Sequence, residues 1–437
     1  MNAAVVGGQA KACPTVSERA RRRITRRLIP FLFVLYIVAF LDRVNTGYAG
    51  LQMTKDLHFS NEVFGFGSGI FFIGYVLLEI PGTLLVEMWS ARKWIARIMI
   101  SWGFVAALTG LVNTAPQFYW ARFLLGVAEA GFFPGVIVYL SHWYRKEDRS
   151  KAIAMFMSAI PLSQLVGSPI SAALMNIHWL GYAGWRWLLI LEGLPAVILG
   201  IVTLFYLTDR PQEARWLPDD ERDWITGELE REHRAKLAVK EYSIWQAFKN
   251  RNVLLLTVVY FFASNVNYGF TLWLPKMVEQ WSGLNPLKTT LISAIPFLVA
   301  WPAMLLVGWS SDRYRERRWH NASMLFLTAG GLALTRFNGG LGLTIVAFSL
   351  AAIGLNARLG PFWAIPGEFL YGPSAAATIG AINCFGNTGG FVGPYIVGWL
   401  SNRTGTYASA VLFLIGSAVV SGGLILFVQK TQAGRGS

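Results

Sequence analysis

Twelve apolar runs, each long enough to cross a bilayer, leave this chain few ways to fold. They fall near 28–48, 62–86, 94–113, 117–140, 152–174 and 185–207, and again near 251–274, 287–310, 321–338, 341–368, 374–399 and 407–428. A crossing helix needs about 20 mostly apolar residues. A chain inside hydrocarbon must also satisfy its own backbone hydrogen bonds, which selects helix for every run. Composition agrees: 54% of the 437 residues are hydrophobic and only 14% are charged. A soluble globule of this size needs more polar surface than that supplies. The 18 tryptophans suit a membrane interface, where indole rings are favoured.

The chain is therefore expected to be an all-α integral membrane protein, with twelve transmembrane helices in two six-helix bundles. A basic tail, 1–27, precedes the first bundle, 28–207. A polar stretch, 208–250, reads as the hinge to the second bundle, 251–428, and a short tail, 429–437, follows. The net charge of +14 does not point to nucleic acid, because Lys and Arg fall in short clusters between the apolar runs. The N-terminal tail, the turns at 87–97, 145–151 and 313–318, and the central stretch carry them. The alternate connections at 114–116 and 175–184 carry none. The positive-inside rule then puts both termini in the cytoplasm, in a pattern suited to a bacterial inner membrane.

Other function classes find little support. No Gly-x-x-x-x-Gly-Lys-Ser/Thr occurs, so no nucleotide drives the protein. His58, His142, His178, His233 and His320 lie in loops or at span ends, without metal spacing or a nucleophile–base pattern. Neither an enzyme nor a cofactor is expected. Cys13 sits in the basic tail and Cys384 in an apolar run, so no disulfide is expected between them. The 43-residue central stretch is too short for a signalling domain. What remains is a membrane carrier with the bilayer as its solvent.

An ionisable group at bilayer depth is costly and marks a functional candidate. Asp42 and Arg43 lie about 14 residues into the first run, roughly 21 Å from its cytoplasmic end. Arg122 and Glu129 lie on the fourth run, which travels the other way, so an Asp42–Arg122 pair is geometrically allowed. Glu129 follows Arg122 by seven residues and shares its face, two turns deeper. A carboxylate that pairs with arginine in one state and takes a proton in another couples proton to anion binding. Alternatively, such pairs only hold helices together. Tyr75, Gln164, Asn265, Asn267, Tyr268, Asn383 and Asn387 are mid-run polar residues that either contact substrate or join helices. Dense glycine and proline in the fourth, fifth and eleventh runs permit close approach and bending.

The two halves repeat one another. Gly82 opens a turn after the second run, and Gly308 opens one after the eighth that reads through Asp312-Arg313 to Arg318. A turn of one kind at one place in each half marks an internal duplication.

With the Gly308-x-x-x-Asp312-Arg313 turn, this plan resembles the major facilitator superfamily. Several stretches are similar to its anion:cation symporter group of organic-anion carriers. These are Leu41-Asp42-Arg43-Val44-Asn45, Gly74-Tyr75 with Glu79-Ile80-Pro81, and Arg122 to Gly126 with Glu129 to Gly135. Thr208-Asp209-Arg210-Pro211, Pro361-Phe362-Trp363 and Gly386-Asn387 through Gly393-Pro394 complete the set. The resemblance implies two pseudo-symmetric bundles. It also implies proton symport of a hydroxy-dicarboxylate, sugar acid or aromatic acid, with an uncoupled exchanger or uniporter as the alternative. It assigns proton coupling to Asp42, Glu129 and Arg122. Arg43, Tyr75, Gln164, Tyr268, Trp363, Asn383 and Asn387 are expected to bind substrate, and Asp312 and Arg313 to gate. Three features depart from the family. Arg358, beside Asn356, either contacts a second acidic group of the substrate or pairs toward the ninth run. Glu368 falls near the cytoplasmic end of the tenth run. Glu87-Met88-Trp89 stands where relatives place polar or basic residues.

Overall fold

The computed structural model describes residues 15–237, 250–337, 340–366 and 373–429. Cys13 and Glu368, and the side chains of Glu87 and Met88, lie outside them. In the first half, α1 (Val16–Asp56), α2 (Asn61–Met88) and α3 (Ala91–Thr109) each make one span. The fourth is α4 (Ala115–Glu129) with α5 (Phe132–Ser141), and the fifth is α6 (Lys146–Met157) with α7 (Ala159–Leu174). The sixth is α8 (Gly184–Tyr206), after which α9 (Asp219–Leu237) lies in the polar stretch.

The second half opens with α10 (Arg251–Ser282). The eighth span is α11 (Pro286–Ile292) with α12 (Ile295–Tyr314), and the ninth is α13 (Arg318–Leu334). The tenth is α14 (Gly340–Ala357) with α15 (Leu359–Ala364). The eleventh is α16 (Pro373–Gly386) with α17 (Gly389–Thr404), and α18 (Ala408–Leu424) is the twelfth.

Among the described residues, nine helical stretches are long and apolar enough to cross a membrane by themselves. Of the other three spans, the third carries Arg92, Lys93 and Arg97 in its 19 residues and the ninth has 17 residues. Bundle packing supports them instead. Exposed apolar side chains such as Phe205 and Leu306 face outward, as do Trp120, Trp179 and Trp309.

The duplication appears in the packing. The first span packs on the fifth as the seventh does on the eleventh, the second on the fourth as the eighth on the tenth, and the third on the sixth as the ninth on the twelfth. Gly126 is where the second and fourth spans approach most closely: a Cβ there would stand 1.9 Å from the Phe71 carbonyl oxygen. The halves meet through the second and eleventh spans, the fifth and eighth, and the first and seventh.

Three local features depart from the hydropathy pattern. The first helix begins at Val16 rather than near 28, because Thr15 and Glu18 form a capping box that starts it inside the basic tail. The fourth span breaks after Glu129, where Gly131 has φ of 83°, a conformation that suits glycine. The 208–250 stretch is more than a hinge, since α9 docks on the first bundle's basic end. Arg19 pairs with Asp220 at 2.6 Å, Arg23 with Glu221 at 2.9 Å and Arg149 with Glu232 at 2.9 Å. Asp219, Asp220 and Glu221 in its first turn also suit the helix dipole.

Candidate functional site

Between the halves lies a narrow cavity of about 70 Å³. Arg43, Tyr75, Glu129 and Gln164 line it from the first half. Tyr268, Asn356, Arg358, Trp363, Asn383 and Asn387 line it from the second. Three of these sit at helix interruptions. Glu129 ends α4, Arg358 lies between α14 and α15, and Asn387 lies between α16 and α17. Irregular backbone at membrane depth is tolerated where it borders a cavity.

Arg43 joins the two walls. Its guanidinium donates to the Glu129 carboxylate and, across the halves, to Tyr268 Oη at 3.2 Å. Its Cζ stands 5.5 Å from the Phe71 ring, and Arg122 stands 5.0 Å from the same ring. A desolvated cation–π contact contributes about 2 kcal/mol. Phe71 thereby helps one bundle hold two cations, Arg122 buried and Arg43 partly exposed.

The Asp42–Arg122 pair that the spacing allows is absent from the ion pairs among the described residues. Asp42 instead accepts from Asn45 Nδ2, one turn along its own helix, at 2.9 Å. Arg122 stays close enough to act on both Asp42 and Glu129. The direct pair is Arg43–Glu129, because adjacent residues on a helix point about 100° apart. Arg43 faces the cavity, whereas Asp42 faces the bundle interior.

Arg358 is 2% exposed, and its Nε and Nη1 have no hydrogen-bond partner among the described residues. The ninth span does reach it, but only at the backbone, where Asn321 Nδ2 donates to the Arg358 carbonyl at 3.1 Å. Of the two alternatives for this residue, the side chain takes the cavity. The phenols of Tyr260 and Tyr268 are its electrostatic neighbours.

Asn387 and Gln164 each present an unpartnered carbonyl oxygen at the cavity wall. Asn383 donates to Glu79 across the halves, and Trp363 stands edge-on to Tyr260 at 5.1 Å. Asn267 lines the cavity, whereas Asn265 is buried outside it.

Two buried acids inside apolar runs were not among the candidate site residues: Glu79, quoted only within a motif, and Glu192. Their signal was a lone carboxyl at bilayer depth, as it was for Asp42 and Glu129.

The turn after the eighth span is at the surface, away from the cavity. Asp312 pairs with Arg317, and Arg313 covers the Trp309 ring at 5.6 Å. In the first half Asp209 does comparable work. It accepts from Ser90 Oγ at 2.7 Å and from the Arg92 amide at 2.8 Å, tying the end of the sixth span to the start of the third.

At the end opposite the basic turns the halves are sealed together. Lys55 pairs with Glu279 at 2.6 Å. Lys276 donates to Thr54 at 2.9 Å and Asn61 at 3.3 Å, and Phe64 meets Trp273 edge-on at 5.2 Å. Ser168 donates to the Thr290 carbonyl.

Two repeated six-helix bundles, joined at one end around a charged cavity, define a multi-pass membrane transporter rather than an enzyme. The chain belongs to the Major Facilitator Superfamily, whose family model matches residues 32–394. An Agrobacterium vitis protein provisionally named a tartrate transporter is 46% identical over 96% of this chain and 97% of its own. A quinolone resistance transporter of Acinetobacter baumannii is 36% identical, with 94% and 96% covered. Among solved structures, a bacterial homologue of the human lysosomal transporter Spinster, inward-facing and unoccupied, superposes with a TM-score of 0.74. That match is 16% identical over 94% of this chain and 96% of the other. At that identity it speaks for the fold alone.

Proposed function

We propose that this transporter carries a small organic diacid of the tartrate type together with protons. The observation that carries the reading is the pair of arginines facing one cavity from opposite halves. Arg43 is held by a carboxylate that a substrate could replace, and Arg358 has no acidic partner among the described residues. A diacid bridging them would connect the halves directly. Guanidinium suits such a role because its planar fork matches a carboxylate in bidentate fashion. Tyr75, Gln164, Tyr268, Trp363, Asn383 and Asn387 would meet the hydroxyl groups and carbon chain.

Glu129, Asp42 and Arg122 would couple the proton. Substrate arriving at Arg43 displaces Glu129, which then takes a proton and neutralises part of the charge being moved. Rocking of one bundle against the other exchanges access, with Asp312 and Arg313 in one of the turns that set which end is open. The basic turns would face the cytoplasm of a bacterial inner membrane, with both termini inside and the monomer as the working unit. The A. vitis relative supports the diacid class.

The test is uptake of labelled organic acids into proteoliposomes, with and without an inward proton gradient. Gradient-driven accumulation of a hydroxy-diacid by the wild type, lost in Glu129→Gln while counterflow persists, is the expected result. Accumulation indifferent to both gradient and substitution would replace the symporter with an exchanger or uniporter.

A further inference from the structure

Glu192 lies midway along the sixth span, 6% exposed, and does not line the cavity. Ser171 Oγ donates to its Oε1 at 3.1 Å, while Oε2 is buried without a partner. Asp42 repeats the pattern. It is 2% exposed, with Oδ1 accepting from Asn45 at 2.9 Å and Oδ2 buried without a partner. Asn45 stands beside both carboxyls, and Asp42 is the charged group that acts on Glu192.

Among the described residues, no cation pairs with Glu192 from the elements packed on it. The first span presents Asp42, Asn45 and Tyr48, and the fifth presents Ser168 and Ser171. From the third and fourth spans, Trp102, Arg122 and Glu129 face Asp42. Arg186, on the same helix as Glu192, is committed at the span's end to the carbonyls of Gly110 and Val112 and to the Asn113 side chain.

Two charged carboxylates flanking Asn45 at this depth are costly. One proton on either carboxyl would remove a charge from the pair. We infer that Asp42 and Glu192 together hold one exchangeable proton inside the first bundle, off the cavity, at a station distinct from Glu129. Asp42 links that station to Arg122 and Glu129, so the proton leaves as the cavity cluster rearranges around substrate. This inference rests on the proton-coupled reading above and adds a second site to it.

The experiment is infrared difference spectroscopy against pH on the purified full-length protein, comparing wild type with Glu192→Gln and Ser171→Ala. A carboxylic-acid C=O band that grows on acidification, shrinks by one carboxyl in Glu192→Gln and shifts in Ser171→Ala is expected. A Glu192 band constant at every pH, or a pH-dependent band indifferent to Glu192→Gln, would overturn the station and make Glu192 permanent neutral glue. Ser171→Ala removes only a hydroxyl, so it decides the matter if Glu192→Gln does not fold: an unshifted band refutes the pair. In proteoliposomes, Glu192→Gln should lower the proton-to-substrate ratio by one, and an unchanged ratio removes the station from the transport cycle. Gradient-independent uptake by the wild type would sink symport instead, leaving the infrared result to decide the pair.

Discussion

Arg43, on the first span, donates to Glu129, the last residue before the fourth span ceases to be a helix. That single contact places a cation, its displaceable counter-ion and a backbone break at one point of the cavity wall. The same guanidinium reaches Tyr268 of the other half, so whatever displaces Glu129 also changes a bond between the halves.

Arg43→Lys tests this geometry. Lysine keeps the charge but has no fork to hold Glu129 and Tyr268 together. A hydrogen bond to a charged group contributes about 1.5–3 kcal/mol, so diacid affinity should fall roughly ten- to hundredfold by titration calorimetry. Unchanged affinity would take Arg43 out of the binding site.

Arg358 should discriminate between acids. With its guanidinium removed in Arg358→Gln, KM for a diacid should rise about tenfold or more, while that for a matched monoacid changes little. Equal losses for both acids would show that Arg358 shapes the cavity rather than reading a second carboxylate.

The seal beyond the cavity should have to open once per cycle. In a Cys13→Ser, Cys384→Ala background, Lys55→Cys with Glu279→Cys places two thiols where the ion pair now spans the halves. A short bis-thiol crosslinker should stop uptake, while the uncrosslinked protein still transports, because exposed ion pairs contribute only about 0–1 kcal/mol. Full uptake after crosslinking would mean that this end does not open.

Gly126→Ala should destabilise the first bundle, since its methyl would collide with the Phe71 backbone. Overpacking typically costs about 1–3 kcal/mol, visible as a lower Tm in detergent. Gly416→Ala is the control, because a Cβ there meets nothing within 4 Å. A Tm equally unchanged in both would contradict the close approach of the second and fourth spans.

Hydropathy alone determined that the chain crosses the membrane in two similar sets of helices, because transfer into lipid is decided residue by residue along each run. The same logic marked Asp42, Arg43, Arg122, Glu129 and Arg358, since a charge in an apolar run stands out in any alignment of the helices. It applied equally to Glu79 and Glu192, which a stricter search of each run for lone acids would have found. Partner choice was decided only in three dimensions. Glu129 meets Arg43 rather than Arg122, and Arg358 faces the cavity rather than the ninth span, because helix rotation and depth are set by packing between spans. Contacts such as Gly126 on Phe71, and breaks such as Gly131, fix that rotation, and neither is visible in hydropathy. The docking of α9 had the same character: its acidic first turn was plain in the sequence, but the basic surface that receives it is assembled from the first and fifth spans only on folding.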